Sequence, residues 1–222
     1  MTSTHDSIRR RLAVQQLARV FERSEASSGR SLPIQKTGRG IWAATPVRVV
    51  AEAAMTLADL GLLGDGHQTG HVIDAGTGDG RIPAVLALLD PSRVVYGIEA
   101  DQALHARAVN NLHTLDARGL IDAAHVHLIE ADYLDVATYQ TRGIPLPQTG
   151  LIFNYPDGNE SHLARFAAQH CGDETTLCVL THNRTLEIDE LELQGRHDIG
   201  DGSGPPWRLS LYRRPPSSAI ER

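Results

Sequence analysis

Apolar positions along the chain repeat with two different periods, and each period predicts one type of element. Near the N-terminus the repeat is helical, with polar residues such as Arg11, Gln15 and Arg19 on the opposite side. The apolar members of this repeat are Ala13, Val14, Leu17, Val20 and Phe21. The pattern predicts an amphipathic helix that docks on the rest of the protein. Thr45 as N-cap and Pro46 as first helical residue predict a second helix, which ends before Gly61.

After Gly70, short apolar runs alternate with helical segments. The runs predict strands at 71–75, 94–98, 126–129, 151–154 and 176–181, and the helical spacing predicts helices at 81–89, 102–115, 135–141 and 160–170. Strands joined by helices favour a mostly parallel sheet that is covered on both faces. Two last strands, at 186–193 and 207–213, have no helix between them and are expected to form an antiparallel hairpin at one edge. The predicted fold class is therefore α/β, a Rossmann-like sheet of seven strands.

The segments between these elements predict the domain organisation. Residues 24–40 are rich in serine and glycine, which predicts a mobile loop. Gly38 and Gly40 beside Trp42 allow a hinged, lid-like segment, and packing of Trp42 in the core is the alternative. We expect an N-terminal helix and lid-like segment at 1–44, one cofactor-binding domain at 45–213 and a flexible tail at 214–222. A length of 222 residues suits one such domain.

Composition argues against several classes of function. The net charge is −6 and the only dense basic cluster is Arg9-Arg10-Arg11, which argues against a nucleic-acid partner. No apolar run approaches the ~20 residues that span a bilayer, so we expect no membrane partner. Cys171 and Cys178 are too few for a disulfide framework or a zinc ribbon, and they fit a cytoplasmic protein. No pair of histidines has convincing metal-ligand spacing, so no metal is expected.

The most informative segment is a buried strand that runs through Asp74 into three alternate glycines. These glycines, Gly76, Gly78 and Gly80, allow a tight turn and a close approach to a ligand at the start of a helix. A dinucleotide fingerprint needs its third glycine one place later, where this chain has Arg81. The spacing therefore argues against a nicotinamide cofactor.

With an aspartate two places before the first glycine, this segment resembles the nucleotide-binding motif of class I S-adenosylmethionine-dependent methyltransferases. The resemblance implies S-adenosylmethionine as cofactor and S-adenosylhomocysteine as product. It implies that Glu99 accepts hydrogen bonds from the ribose hydroxyls of the cofactor. It also implies that Asp132, rather than nearby Glu130, accepts a hydrogen bond from the adenine amino group, and that Tyr133 flanks the adenine ring. The other residues assigned to cofactor binding are Asp74, Gly76, Thr77, Gly78, Gly80 and Asn154.

The candidate catalytic residues follow the fourth and fifth strands of the predicted sheet. The run Phe153-Asn154-Tyr155-Pro156-Asp157 partly resembles the Asn/Asp-Pro-Pro-aromatic motif of methyltransferases that act on nitrogen. Asn154 would accept a hydrogen bond from a substrate nitrogen, Tyr155 would face the sulfonium, and Asp157 would hold an ammonium or act as a base. The competing interpretation is a simple turn. His182, followed by Asn183, is a candidate general base, with a structural role as the alternative.

The resemblance implies methyl transfer to a nitrogen, or another nucleophile, of a small molecule or protein side chain. The stretch from Thr45 to Ile82 looks loosely like small methyltransferases acting on protein lysines and amines. An enzyme of the same fold that consumes the cofactor without methylating, and releases methylthioadenosine, is the main alternative. A nicotinamide oxidoreductase and a non-catalytic binding module are weaker alternatives. The sequence leaves a homodimer open.

Overall fold

The structure, a computed structural model, describes residues 4–27, 34–37, 40–64, 70–182, 186–200 and 206–215. The α-helices of this part are α1 (Thr4–Ser27), α2 (Val47–Asp59), α3 (Arg81–Leu89), α4 (Gln102–Ala117), α5 (Val136–Arg142) and α6 (Glu160–His170). The strands are β1 (Ile34–Thr37), β2 (Gly40–Ala43), β3 (His71–Ala75), β4 (Val95–Glu99), β5 (Val126–Glu130), β6 (Thr149–Asn154), β7 (Thr176–His182), β8 (Glu192–Ile199) and β9 (Trp207–Arg213).

Seven strands form one sheet in the order β5-β4-β3-β6-β7-β9-β8. Strands β3 to β7 run parallel to one another, whereas β9 is antiparallel to both β7 and β8. The strand order reverses at β3, which pairs with β4 on one side and β6 on the other, and ligands bind at such switch points in open α/β sheets. This topology confirms the predicted Rossmann-like fold with a C-terminal antiparallel hairpin.

The sheet has a hydrophobic core on each face. The core on one face joins the sheet to α1, α2, α3 and α4, and it includes Val72, Leu151 and Phe153. The core on the other face joins the sheet to α5 and α6, and it includes Ile73 and Ile152. Neighbouring residues of one strand belong to different cores because side chains alternate across a strand.

The amphipathic N-terminal helix docks as predicted. Leu17, Val20 and Phe21 of α1 are buried in the same core as α2 and α3, whereas Arg11 and Arg19 are exposed. The prediction of a loop over residues 24–40 was wrong in part. Helix α1 continues through Ser27, and β1 and β2 pair as a short antiparallel ladder. Residues 28–33 and 38–39 lie outside the described part of the chain.

The predicted start of α2 was wrong by one position. The N-cap is Pro46, with φ −56° and ψ 129°, and the helix begins at Val47 without a side-chain cap. Thr45 is instead a buried residue whose carbonyl oxygen accepts a hydrogen bond from Arg81 Nη1 at 2.5 Å. This tertiary contact fixes the chain before the helix, so the local capping signal does not decide where α2 begins.

The predicted strand at 186–193 was also wrong in its bounds. Residues 186–191 are outside any strand, and β8 runs from Glu192 to Ile199. Ile188 and Leu191 are buried in the core as parts of a connecting segment, and Leu186 O accepts a hydrogen bond from the Tyr212 hydroxyl at 2.7 Å. The apolar pattern there reflects burial without strand pairing.

The residue that follows β9 is anchored to the domain. Arg214, the first residue of the predicted tail, donates hydrogen bonds to the carbonyl oxygens of Ala168 and Cys171. Residues 216–222 lie outside the described part of the chain. Of the helices that the structure describes, none combines the length and apolar character needed to cross a membrane.

Candidate functional site

A pocket that is partly open to solvent, with a cavity volume of about 100 Å³, lies at the carboxyl ends of the central strands. Seven of the residues predicted for the site line it: Gly76, Thr77, Glu99, Asp132, Tyr133, Tyr155 and Asp157. They follow β3, β4, β5 and β6, so strands distant in sequence contribute to one cavity at the topological switch point.

The glycine loop bends at each of its three glycines. Gly76, Gly78 and Gly80 have φ values of 81°, 57° and 85°, which L side chains rarely adopt. The loop amides are already bonded within the protein, since the N–H of Gly78 donates to Glu99 Oε2 at 2.8 Å and that of Gly80 donates to Thr77 O at 3.0 Å. Gly80 caps α3 and packs against α4, so it does not line the pocket.

Glu99 is a buried carboxylate at the end of β4, on the wall of the pocket. Its Oε1 accepts from the N–H of Asp101 at 2.8 Å, while its Oε2 is held by the glycine loop. Burial raises the pKa of Glu99, and hydrogen bonds from the backbone N–H groups of Asp101, Gly78 and Ala100 oppose that shift. The side chain is therefore fixed in position, and its remaining acceptor sites are available to a ligand in the pocket.

Asp132, rather than Glu130, reaches the pocket. Glu130 pairs with Glu99 in the β4–β5 register, but it is exposed and does not line the cavity. Asp132, two residues later, lines it and accepts from the N–H of Leu134 at 2.9 Å. Asp132 therefore lines the pocket and Glu130 does not, and the assignment of Asp132 to the adenine amino group stays a prediction.

Asp74 lies beneath the glycine loop, completely buried and outside the pocket lining. One of its oxygens, Oδ2, accepts a hydrogen bond from the Thr77 hydroxyl, and the other, Oδ1, has no partner among the described residues. Burial, with smaller contributions from Glu99 and Asp79, raises the pKa of Asp74 to about 7. Asp74 therefore keeps its proton to a higher pH than an ordinary aspartate does.

Tyr133 and Asp157 form a hydrogen-bonded pair on the pocket wall. The Tyr133 hydroxyl donates to Asp157 Oδ2 at 2.6 Å, and the N–H of Asn159 donates to Asp157 Oδ1 at 3.0 Å. Burial, and then the Asp157 carboxylate, raises the pKa of Tyr133, so the hydroxyl stays protonated and remains a donor. A Cβ on Gly76 would lie 3.7 Å from both side chains, so the pair adjoins the first glycine of the loop.

Two of the predicted catalytic residues do not line the pocket. Asn154 is buried at the end of β6, where its Nδ2 donates to Ala75 O at 3.0 Å and its Oδ1 has no partner among the described residues. His182 is exposed at the end of β7, with its ring centroid 5.1 Å from that of Trp207. Asn183 lies outside the described residues.

Arg81 is a pocket residue that the sequence interpretation missed, since it was treated only as the wrong residue for a dinucleotide motif. It lines the pocket yet is 6% exposed. Its Nε and Nη2 bind the two oxygens of buried Asp79 at 2.8 and 2.6 Å, and Nη2 also binds Glu25 Oε1 of α1 at 2.6 Å. With the bond to Thr45 O, the guanidinium joins α1, the start of α2 and the glycine loop.

Trp42 covers the second glycine of the loop. A Cβ on Gly78 would lie only 2.1 Å from Trp42 Nε1, so the indole needs a glycine there. The same ring lies 5.9 Å from the Arg81 guanidinium and 5.8 Å from that of Arg107. Trp42 and the exposed Ile41 line the pocket, where a lid was predicted. Gly38, one of the two glycines expected to act as hinges of the lid, lies outside the described residues.

The part of the chain that the structure describes contains no group of three or more His, Cys, Asp or Glu side chains placed to hold a metal ion. Both cysteines, Cys171 and Cys178, are buried and free. Burial raises the pKa of the Cys171 thiol to about 11, so the thiol stays protonated and structural at neutral pH.

No protein-family model matches the chain, and no curated protein matches its sequence. Solved structures do match its fold. The rRNA methyltransferase aviRa from Streptomyces viridochromogenes is 19% identical with a TM-score of 0.57, over 83% of this chain and 90% of that one. An RNA methyltransferase from Salinibacter ruber, in complex with S-adenosylhomocysteine, is 19% identical with a TM-score of 0.55, over 78% and 94%.

A third match is a protein described as a predicted O-methyltransferase from Agrobacterium tumefaciens, which is 15% identical with a TM-score of 0.54 over 77% of this chain and 81% of that one. These proteins carry different acceptor names, and the identities are low, so what they share with this chain is the fold. The chain therefore has the Rossmann-like α/β fold that these methyltransferase structures share.

Proposed function

We propose that this protein is an enzyme that binds S-adenosylmethionine in the pocket and transfers its methyl group to a nitrogen of a small molecule or a protein side chain. The observation that carries this proposal is the placement of Glu99. A buried carboxylate at the end of β4 is held against the glycine loop and lines the pocket at the switch point. Such a carboxylate makes strong hydrogen bonds to ribose hydroxyls.

The other polar groups around the pocket fit the same cofactor. Two buried acceptors near the glycine loop, Asp74 Oδ1 and Asn154 Oδ1, have no donor among the described residues, but neither residue lines the pocket. S-adenosylmethionine carries N–H donors on its amino acid part and on its adenine. Asp132 offers an acceptor on the wall, and Ala100, Leu104 and Leu134 supply apolar surface to the same cavity. Sites of this kind combine apolar lining with a few placed polar groups.

A dinucleotide fits less well. Phosphates bind helix N-termini through free backbone N–H groups, but the amides of Gly78 and Gly80 already bond to Glu99 and Thr77. Trp42 covers Gly78, where a pyrophosphate would need to approach the backbone. These contacts support a sulfonium cofactor over a nicotinamide cofactor.

When bound, S-adenosylmethionine supplies an electrophilic methyl group, and an acceptor nitrogen forms a bond to it as the carbon–sulfur bond breaks, leaving S-adenosylhomocysteine. Asp157 is suited to take the proton that the acceptor nitrogen gives up, because its carboxylate lines the pocket beside Gly76. Tyr133 holds the carboxylate in place through its 2.6 Å hydrogen bond. Trp42 and Ile41, on the wall formed by β2, help to exclude water.

A nitrogen acceptor outside RNA is favoured by the charge of this chain. Two of the matched proteins are named as RNA methyltransferases. This chain, however, has a net charge of −6, and its pocket is lined by the acidic residues Glu99, Asp132 and Asp157. Carboxylates repel a phosphate backbone, which binds to basic surfaces. An amine acceptor does not meet that repulsion.

Calorimetry with S-adenosylhomocysteine and with NAD tests the cofactor. We expect micromolar binding of S-adenosylhomocysteine and no binding of NAD, and the opposite result would exclude the proposal. Incubating the protein with S-adenosylmethionine and candidate amines, and identifying the nucleoside product, tests the reaction. S-adenosylhomocysteine together with a methylated amine supports it, whereas methylthioadenosine formed without an acceptor supports the alternative of a non-methylating enzyme.

A further inference from the structure

The pocket has an excess of negative charge over positive charge. Among its lining residues that the structure describes, three are acidic (Glu99, Asp132 and Asp157) and Arg81 is the only basic one. The Arg81 guanidinium is already bound to both oxygens of Asp79 and to Glu25. A cationic ligand is therefore favoured over an anionic one in this cavity.

Three aromatic rings follow one another beside the acidic wall. Tyr155, two residues before Asp157, lines the pocket, and its ring centroid lies 6.0 Å from that of Trp207. The Trp207 ring in turn lies 5.1 Å from that of His182, its partner in the β7–β9 register. Tyr155 and Trp207 are half-buried and His182 is exposed, so the cluster runs from the pocket to the surface.

We infer that this aromatic cluster, Tyr155, Trp207 and His182, forms with Asp157 the acceptor site of the enzyme, and that its substrate class is a cationic amine, an alkylammonium group. This inference rests on the proposed function, which places the reaction in the same pocket. Aromatic faces attract ammonium ions through their quadrupoles, and a carboxylate attracts them through its charge. Tyr155 and Asp157 lie two residues apart in the segment that follows β6, whereas His182 ends β7 and Trp207 begins β9.

A cationic acceptor also explains why the loop after β6 departs from the Asn/Asp-Pro-Pro-aromatic pattern. That pattern ends in an aromatic residue, whereas this chain has Asp157 at the place. A carboxylate there matches an acceptor that arrives as an ammonium ion and gives up a proton. The hydrogen bonds from Tyr133 and Asn159 occupy one acceptor direction of each Asp157 oxygen and leave the others for the ligand.

Two probes of nearly equal shape test the inference. Choline carries a quaternary ammonium group, and 3,3-dimethylbutan-1-ol is its neutral carbon analogue. Both are titrated into the full chain saturated with S-adenosylhomocysteine, and again without it. We expect choline to bind at least about tenfold more tightly than the alcohol, which corresponds to about 1.4 kcal/mol. Equal affinities, or no choline binding, would overturn the inference.

Variants assign the preference to particular side chains. Trp207→Leu and Asp157→Asn should each reduce the ratio of the two affinities by at least about threefold. The matched control is Tyr96→Leu, which removes a half-buried ring that stacks on His127 in the same sheet, outside the pocket lining. The control should keep the ratio of the parent protein, and an equal fall in all three variants would contradict the assignment.

The two proposals fail in different ways. If the parent protein binds S-adenosylhomocysteine but does not prefer choline, the acceptor inference is wrong and the proposed function stands. If it prefers choline but binds no S-adenosylhomocysteine, the cation site stands and the proposed function is wrong. Melting temperatures of the same preparations show whether each variant is folded.

Discussion

Glu99 is the side chain on which the cofactor proposal depends most. Its carboxylate is buried, fixed by two backbone N–H groups, and exposed to the pocket on one side. We expect Glu99→Ala to weaken S-adenosylhomocysteine binding by roughly 1.5–3 kcal/mol, as for other hydrogen bonds to charged groups. Glu130→Ala is the matched control, because Glu130 lies beside Glu99 in the register but is exposed. Calorimetry measures the affinity of both variants for S-adenosylhomocysteine. Equal losses of affinity would mean that the ribose hydroxyls bind a residue other than Glu99.

Asp74 should make the stability of the protein depend on pH. Burial raises its pKa to about 7 in the folded chain, against about 3.9 when unfolded. Between about pH 4 and pH 7 the folded state therefore binds this proton more tightly than the unfolded state does. The contribution of Asp74 to the free energy of unfolding falls as the pH rises through that range. In Asp74→Asn this contribution is absent.

The stability of the parent relative to Asp74→Asn should accordingly fall by roughly 3 kcal/mol between pH 5 and pH 8. Urea unfolding of both proteins at several pH values measures it. Burial also lowers the pKa of His71, to about 4, and this histidine acts in the opposite direction. It titrates in both proteins, however, so it cancels in the difference. Parallel pH profiles would show that Asp74 does not titrate in this range.

The strand-end acids could be predicted from the sequence, whereas the contacts of Arg81 could not. Glu99 and Asp132 follow apolar strands at once, and the carboxyl ends of parallel strands meet at one edge of a sheet. The partners of Arg81 come from Glu25, Thr45 and Asp79, and its position relative to the first two is set only by how α1 and α2 pack. No local sequence pattern predicts such long-range contacts. Asn154 has a strand-end position too, but its side chain points into the strand interface rather than the pocket.

The attachment of α1 to the glycine loop through Arg81 gives a prediction about elements. Arg81→Met leaves the buried Asp79 carboxylate without a cation, which should cost about 3–5 kcal/mol of the free energy of unfolding. Glu25→Gln removes only the ion pair to α1, whose Glu25 side chain is 34% exposed, and should cost at most about 1 kcal/mol. Urea unfolding measures both losses. The double variant Arg81→Met/Asp79→Leu should recover part of the first loss, and no recovery would argue against a charge effect.

Elements were predicted well where the buried apolar residues belong to the element itself. They were predicted poorly where the buried apolar residues lie outside it. The predictions of β3, α3, α6 and β9 match the structure at both ends. Strand β8 is an edge strand whose residues are mostly exposed, with a register shift between Leu193 and Gly195, so it has little apolar pattern. The apolar residues before it, Ile188 and Leu191, are buried without pairing. An apolar pattern indicates which residues are buried. In this segment the buried residues precede the residues that pair as a strand.

The pocket walls come from most of the chain. Thr37 and Trp42 near the N-terminus, the glycine loop, and the residues after β4, β5 and β6 all line one cavity. Arg81 joins these parts to α1 and to the start of α2. A ligand that fills the pocket therefore contacts segments that must all be folded together, and its binding should stabilise the protein as a unit rather than one loop.

This gives a prediction for the complete protein. A ligand that binds only the folded state adds about 2.7 kcal/mol at a hundred times its dissociation constant. For a chain of this length, that corresponds to a rise in melting temperature of about 5–11 °C. We expect S-adenosylhomocysteine to produce this shift, NAD at the same concentration to produce none, and Glu99→Ala to show a smaller shift at the same ligand concentration. Differential scanning calorimetry measures all three. A single transition that moves as a whole supports binding across all the walls, whereas an early transition that ligand does not move would mean that α1 or the β1–β2 segment unfolds separately from the site.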